Sequence, residues 1–181
     1  MRTLTIKSGN GNSSYEEGWH ELTISKAEYK EWNGTKCIDV YFNDYPEYFN
    51  MRIYEKIGTD GEEFAIGQLY RMANAGISSS LEGSDGTKIV KLDDSAEALM
   101  GKRVNIYLYK DGKYSKPLGK VAPVEFQNSV ETFTSADVMY WKGKAIDFYK
   151  KYVEPKVKQR LEEAITNPAP VEQEAEAEMP F

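Results

Sequence analysis

A chain of 181 residues, 40% of them hydrophobic, is long enough to bury one domain-sized core. Its net charge of -6 argues against nucleic-acid binding, but residues 166–181 hold four of the 29 acidic side chains and none of the 23 basic ones, so the remainder is nearly neutral. The single cysteine excludes an intramolecular disulfide. Because the chain has no signal-peptide pattern and no apolar run of about 20 residues, we expect a cytoplasmic protein that spans no membrane.

The first half of the chain alternates apolar and polar residues with the period of two that is typical of half-buried strands. In this alternation Phe49 faces the core and its neighbour Tyr48 faces away. The charged residues of 26–35 predict a turn, which Asn33 and Gly34 close. The predicted strands are 19–25, 36–43 and 47–54.

Two segments have the apolar spacing of helices. The first predicts a helix over 62–76, which begins with two glutamates and ends at Gly76. The second predicts a helix over 135–165, which Pro155 ends or kinks.

Two more strands are predicted between these helices. Residues 77–100 give no clear pattern, whereas 102–110 alternate strongly and place Ile106 inward. The Asp-Gly pair at 111–112 is typical of a hairpin turn. Residues 119–126 are expected to form the returning strand, at an edge or a bulge because they contain a proline.

Three strands, a helix and two strands follow one another in an OB-fold, a five-stranded Greek-key barrel. We therefore predict a mainly β fold with added helices, in which the helix lies between strands three and four of the barrel. A mixed α+β sheet is the main alternative. The predicted parts are the barrel with its N-terminal extension at 1–130, a C-terminal helical segment at 131–165 and a disordered acidic tail at 166–181.

The sequence gives no indication of catalysis. One histidine, His20, and one cysteine cannot form a zinc cluster, and Gly83–Lys88 lacks the spacing of a phosphate-binding loop. Asp39 and Asp44 have the chemistry of metal ligands, but solvated surface carboxylates are the simpler interpretation. We expect no enzyme activity, no metal and no cofactor.

Aromatic and arginine side chains are unusually frequent on the polar side of the predicted strands. Rings on such a surface can stack on nucleobases while guanidinium groups contact phosphates. The alternative is that the predicted helices cover some of these rings. The outward candidates are Tyr41, Tyr48, Arg52, Tyr54, Arg103, Tyr107 and Tyr109.

Two predicted loops add basic residues where an OB-fold frames its ligand, between strands one and two and between strands four and five. Together with the outward rings, they predict a sequence-tolerant site for single-stranded nucleic acid. Residues 142–160, with seven basic and two acidic side chains, form a further positive segment. The loop candidates are Lys26, Lys30, Trp32 and Lys36 in the first loop, and Lys110, Lys113, Tyr114 and Lys116 in the second.

The C-terminal tail alternates glutamate with other residues and then ends on a hydrophobic tripeptide. A terminal Phe offers a ring and a carboxylate that a partner can capture in an apolar pocket beside a basic group. The predicted partner-binding residues are Glu172, Glu174, Glu176, Glu178, Met179, Pro180 and Phe181.

This ending resembles the tail of bacterial single-stranded DNA-binding proteins, an acidic stretch followed by Ile-Pro-Phe, with Met179 in place of Ile. The layout resembles that of phage single-stranded DNA-binding proteins, which also combine an OB barrel with an acidic tail that ends in Phe. A long N-terminal loop, a helix after the barrel and the lack of a long Gly/Gln-rich linker differ from the bacterial proteins and favour a phage replication protein. The resemblance implies a protein that coats and protects single strands in replication, recombination or repair. It also implies that the tail recruits replication and recombination enzymes and competes with DNA for the binding groove.

Other functions share some of these features. A recombination mediator or strand-annealing accessory protein would have the same tail and a defined homo-oligomer. A metal-dependent nuclease and a purely protein-binding adaptor are the alternatives from other classes. Oligomeric state and the preference for DNA or RNA stay open at this level.

Overall fold

The computed structural model describes residues 3–4 and 15–166, which form antiparallel sheets with added helices. The strands of this part are β1 (Gly18–Trp32), β2 (Thr35–Phe42), β3 (Asn50–Tyr54), β4 (Ile77–Glu82), β5 (Lys88–Leu92), β6 (Arg103–Asp111), β7 (Tyr114–Pro117), β8 (Ala122–Pro123), β9 (Phe126–Gln127) and β10 (Thr132–Phe133). The helices are α1 (Ala65–Met72), α2 (Ser135–Phe148) and α3 (Glu154–Thr166), with a 3₁₀ turn at Ala96–Leu99 and a π-helical segment at Tyr149–Val153. In the described part, no helix is long and apolar enough to cross a membrane.

The main sheet has the strand order β3-β2-β1-β6-β7, and β8 pairs with β6 beyond the end of β7. β1 is the central strand and changes partner along its length. Its first part, from Gly18 to Thr23, pairs with β6, and its second part pairs with β2 after a bulge between Ile24 and Lys26. A bulge bends and twists a strand, so the sheet curls.

The curl brings the two edge strands of the sheet together. Cα atoms of β3 and β7 lie within 8 Å of each other, although no hydrogen-bonded ladder joins these strands in the described part of the chain. The main sheet therefore has six strands and is not closed by hydrogen bonds, whereas five strands in a barrel were expected. The additional hairpin of β4 and β5 forms a separate two-stranded sheet.

The core lies inside the curled sheet and beneath α1. Ile24, Ile38 and Ile106 are fully buried on the inner face, and α1 contributes Leu69 and Tyr70. The buried Tyr70 hydroxyl donates to the carbonyls of residues 94 and 95, both at 2.9 Å. Its polar atom is therefore satisfied without access to water.

The inward positions predicted from the alternation are confirmed for β2, β3 and β6, but the turn expected at 26–35 is wrong. Residues 26–32 continue β1, and only Asn33 and Gly34 turn the chain, with φ angles of 50° and 78°. The side chains of this segment alternate between the two faces of the strand: Ala27 is buried, and its charged neighbours Lys26 and Glu28 point away from the core. Charged residues on the solvent face therefore do not end the strand.

The two predicted helices are also present. α1 is shorter than 62–76, and the Glu63 carboxylate accepts hydrogen bonds from the backbone N–H groups of Ala65, Ile66 and Gly67 at 2.8–3.0 Å. The helix over 135–165 starts at a capping box between Thr134 and Asp137. It continues through Pro155, which has no N–H to donate, and the π-helical segment ends at Val153, two residues before that proline.

The returning strand predicted at 119–126 is found earlier in the chain. β7 pairs with β6 directly after a turn at Gly112, whose φ is 65°. Of the predicted segment, Ala122 and Pro123 pair with the beginning of β6. β7 and β8 thus form one interrupted edge beside β6. Of the acidic tail predicted at 166–181, Thr166 is the last residue of α3, and the remainder lies outside the described residues.

Replacing Phe49 by Ala should lower the free energy of unfolding by roughly 3–5 kcal/mol, because its ring is 3% exposed and stacks on Tyr45 at 4.7 Å between ring centres. Tyr48→Ala is the matched control. That neighbouring ring is 71% exposed, so its loss should change stability by less than about 0.5 kcal/mol. Chemical denaturation of the three proteins measures both effects. The reverse order of stabilities would mean that the register of β3 is shifted by one residue.

Candidate nucleic-acid interface

The side chains of β1, β2 and β3 that point away from the core form one continuous surface, named here the outer face. Cross-strand pairing sets Glu28 of β1 opposite Asp39 of β2, and Asp39 opposite Arg52 of β3. The next row contains Lys30 and Tyr54. Six residues predicted to bind nucleic acid meet on this face: Lys26, Lys30, Trp32, Tyr41, Arg52 and Tyr54.

Asp39 is the centre of the outer face, and its carboxylate is only 1% exposed. The Arg52 guanidinium donates to both carboxylate oxygens, at 2.7 and 2.9 Å, and Lys30 Nζ lies 3.2 Å from one of them. These bonds, first those from Arg52, hold the pKa of Asp39 below its ordinary value despite the opposing effect of burial. Asp39 was expected to be a solvated surface carboxylate. It is instead a buried ion-pair partner that fixes Arg52.

The two lysines of the outer face are also paired. Lys26 Nζ lies 3.2 Å from Glu47 and 3.6 Å from Glu28, and 4.6 Å from the centre of the Tyr41 ring. Lys30 Nζ donates to the Tyr41 hydroxyl at 3.3 Å, and this bond and the ion pair with Asp39 raise the pKa of Lys30. Tyr41 therefore lies between the two lysines and limits their freedom to turn away.

The charges on the outer face nearly cancel. Its cations Lys26, Lys30 and Arg52 face three carboxylates, those of Glu28, Asp39 and Glu47. A phosphate that binds here must therefore compete with a carboxylate, and most of these pairs are exposed enough to exchange. Lys26 and Lys30 were predicted in a loop, but they belong to β1, because this strand extends to the hairpin tip.

The aromatic rings of the outer face are accessible to solvent. Trp32 is 56% exposed and lies at the hairpin tip, with the Arg52 guanidinium carbon 5.8 Å from its ring centre. Tyr54 is 38% exposed, and Tyr48 lies just before β3. Such rings offer flat apolar surface beside cations, which is the arrangement on which unpaired bases stack.

The second predicted cluster lies on the hairpin of β6 and β7 and is more dispersed. Lys110 and Lys116 belong to the two strands and not to a loop, and each has an intramolecular partner, Ser115 at 3.0 Å and Asp111 at 2.7 Å. The hairpin tip carries an exposed ring at position 114 with Lys113 5.5 Å from its centre. The remaining predicted residues of this kind are Arg103, which pairs with Glu21, and Lys36, which is exposed next to the turn of β1 and β2.

The C-terminal helical segment covers the two outward tyrosines of β6. The Tyr149 ring lies 5.3 Å from that of Tyr107 and 5.4 Å from that of Tyr109, measured between ring centres. Burial raises the pKa of all three hydroxyls. These rings thus pack the helical segment onto the sheet. For Tyr107 and Tyr109, the alternative holds that a helix covers the outward rings.

A feature that the sequence pattern did not reveal is a cleft of about 410 Å³ between β3 and α2, named here the aromatic cleft. Trp141 and Phe148 line it from the helix, and Tyr54 lines it from β3. Trp141 and Phe148 are seven residues apart, so they lie on the same side of α2. The sequence spacing could have shown that the two rings share one side of the helix, but not which part of the protein they face.

A comparison of the chain with family models, curated proteins and solved structures finds no match. Among residues 3–4 and 15–166, no three His, Cys, Asp or Glu side chains are grouped as metal ligands would be.

Replacing Asp39 by Asn should lower the free energy of unfolding at pH 7 by roughly 1–3 kcal/mol, because Arg52 and Lys30 lose their shared anion. Since the pKa of Asp39 is lowered in the folded protein, its stabilisation is complete above about pH 4 and is lost as the pH falls through the folded pKa. The variant should accordingly lose less stability than the parent on acidification.

Denaturation curves between pH 7 and pH 2.5 measure this difference. Asp85→Asn, at an exposed position in the turn between β4 and β5, is the control and should behave like the parent. Equal stability of the Asp39 variant and the parent across this range would show that the ion pair does not stabilise the fold.

Proposed function

We propose that this chain is a non-catalytic, sequence-tolerant single-stranded DNA-binding protein, and that the bound DNA strand lies across the outer face. The observation that carries the proposal is the grouping of the accessible rings of Trp32 and Tyr54 with Arg52, Lys26 and Lys30 on one side of β1–β3. Bases would stack on the rings, while phosphates exchange with the carboxylates that now pair with the cations.

The topology supports an OB-type fold for the main sheet. If β6 and β7 are taken as strands four and five, the order β3-β2-β1-β6-β7 with the edges β3 and β7 close together matches a partly open OB barrel. α1 then lies between strands three and four, and the hairpin of β4 and β5 is an insertion after it. In such a fold the ligand crosses strands two and three, which is where the outer face lies.

Because the outer face is nearly neutral, stacking on its rings should contribute more to DNA affinity than contacts between its cations and phosphates. Each cation already has a carboxylate neighbour, so contact with a phosphate replaces one ion pair by another and gains little. Stacking would supply most of the affinity, which favours strands with unpaired bases over duplexes. We therefore propose that the protein distinguishes single strands by their accessible bases.

The acidic tail completes the proposal. Glu172, Glu174, Glu176, Glu178, Met179, Pro180 and Phe181 would recruit enzymes of replication, recombination or repair, as in the single-stranded DNA-binding proteins whose tails this one resembles. Their carboxylates carry the same sign of charge as DNA, so the tail would also compete with a strand for nearby cations.

Titration with dT oligonucleotides, followed by tryptophan fluorescence, tests DNA binding directly. Neutralising two to five phosphates should give a slope of log K against log salt of roughly -1.5 to -3.5, since each phosphate on a single strand contributes about -0.7. A duplex of equal length should bind more weakly. Equal affinity for duplex and single strand would contradict the stacking part of the proposal, and a response independent of salt would contradict the phosphate contacts.

The variant Glu28→Gln tests the position of the strand. This substitution removes the carboxylate shared by Lys26 and Lys30 and leaves each lysine with one carboxylate partner, Glu47 or Asp39. Less negative charge then competes with phosphate, so binding should tighten about two- to fivefold at low salt. Glu125→Gln makes the same change at an exposed position outside the outer face and should have no such effect. Equal affinities of the two variants would mean that the strand does not cross the outer face.

Deleting 172–181 should tighten DNA binding a few-fold, most clearly at low salt, because a tethered competitor is removed. Deleting Phe181 alone should leave DNA binding almost unchanged and abolish the capture of partners, since the ring and the correctly placed carboxylate are lost together. Pull-downs with the full chain and with the chain lacking Phe181 measure the second effect. Recovery of the same polymerase, primase, helicase or nuclease by both would show that the terminal Phe is incidental.

A further inference from the structure

The aromatic cleft combines apolar rings with cations in a way that the outer face does not. The rings of Tyr54, Trp141 and Phe148 line it together with the basic side chains of Lys56 and Lys120. Lys120 Nζ lies 5.1 Å from the centre of the Phe148 ring. No carboxylate is among the described residues that line the cleft, so its electrostatic character is positive, in contrast to the compensated charges of the outer face.

The aromatic cleft is continuous with the outer face. Arg52 and Tyr54 belong to both, because β3 forms one wall of the cleft and one edge of the face. A DNA strand that crosses β2 and β3 would therefore reach side chains that line the cleft. The volume of about 410 Å³ is within the range of roughly 300–1,000 Å³ in which proteins hold small aromatic ligands.

The far wall of the cleft is held in place by the packing of α2. Ala145 is fully buried on this helix, which allows close approach to the rest of the protein, and Thr134 and Asp137 cap its beginning. The Arg71 guanidinium carbon lies 5.5 Å from the centre of the Trp141 ring and restrains it. The rings of the cleft are thus positioned before a ligand arrives, which lowers the entropic cost of binding.

We propose that the aromatic cleft binds one unstacked nucleotide of the strand that lies on the outer face. The base would enter between the rings, where the Gln68 amide offers both a donor and an acceptor to its edge, and the phosphate would meet Lys120 and Lys56. This inference rests on the proposed function. Arg52 and Tyr54 belong to both the outer face and the cleft. This continuity favours a nucleotide of the same DNA strand over an acidic peptide as the occupant.

The test compares dT12 with a 12-residue oligomer of the same phosphate backbone that carries abasic sites throughout. Phe148→Ala should weaken binding of dT12 about 5- to 100-fold, as expected for the loss of one stacked base, and should leave binding of the abasic oligomer within about twofold. Phe64→Ala removes another ring that lines the cleft, next to the start of α1 and 55% exposed, so it should have the same effect on dT12 with little risk to folding. Lys120→Ala should weaken both oligomers and reduce the salt slope by about 0.7.

Tyr152→Ala is the control. Its ring contacts that of Phe148 at 5.2 Å but does not line the cleft, so it should not change the preference for dT12. If the parent protein fails to bind dT12, the proposed function is wrong and the inference fails with it. If the parent binds dT12 and neither Phe148→Ala nor Phe64→Ala alters its binding, or if these ring variants weaken dT12 and the abasic oligomer equally, the proposed function stands and the cleft does not take a base.

A synthetic peptide of residues 172–181 provides the last arm of the test, because an acidic chain that ends in a ring has similar chemistry. If Phe148→Ala weakens binding of this peptide and not of dT12, the cleft belongs to a peptide and the inference is overturned. Loss of the dT12 preference in both cleft variants, with melting temperatures near that of the parent, supports a nucleotide site.

Discussion

The change of partner along β1 is the constraint on which the rest of the structure depends. In a flat sheet, four strand spacings of about 4.8 Å would separate β3 from β7 by roughly 19 Å. The bulge at Ile24 and Lys26 instead lets one strand serve two differently oriented partners, and the edges approach within 8 Å. The core is enclosed by that curl, and the aromatic cleft lies where β3 and α1 meet the segment after β7 and α2.

Asp39 has a comparable role for the surface. A carboxylate in the centre of the outer face orients Arg52 and Lys30 through three short contacts, and the orientation of Arg52 in turn supports the ring of Trp32. Compared with an apolar pair of similar volume, a buried ion pair adds little net stability, because desolvation offsets its attraction, whereas removal of the carboxylate alone leaves its cations without a partner and is costly. Its contribution is the fixed geometry of neighbouring side chains.

The alternation of apolar and polar residues predicted the inward positions, such as Phe49 and Ile106, because it depends only on neighbours within the same strand. Composition misled at 26–35, where charged residues belong to a strand that is exposed on one side. Tyr107 and Tyr109 look outward in the sequence, yet a helix some 40 residues later covers them. The aromatic cleft could not be predicted at all, since its walls come from β3, the segment after β7 and α2, and only the curl of the sheet brings them together.

The compensated charges of the outer face also have a kinetic consequence. A surface whose cations and carboxylates alternate at 3–4 Å produces almost no field one Debye length away, so it does not steer DNA from a distance. Encounters would then occur at the rate of unaided diffusion, and residence time would depend on how quickly rings and bases separate. Under the proposed function, the protein would release its strand in small steps, one stacked base at a time, and would pass it to a competing partner without dissociating in a single event.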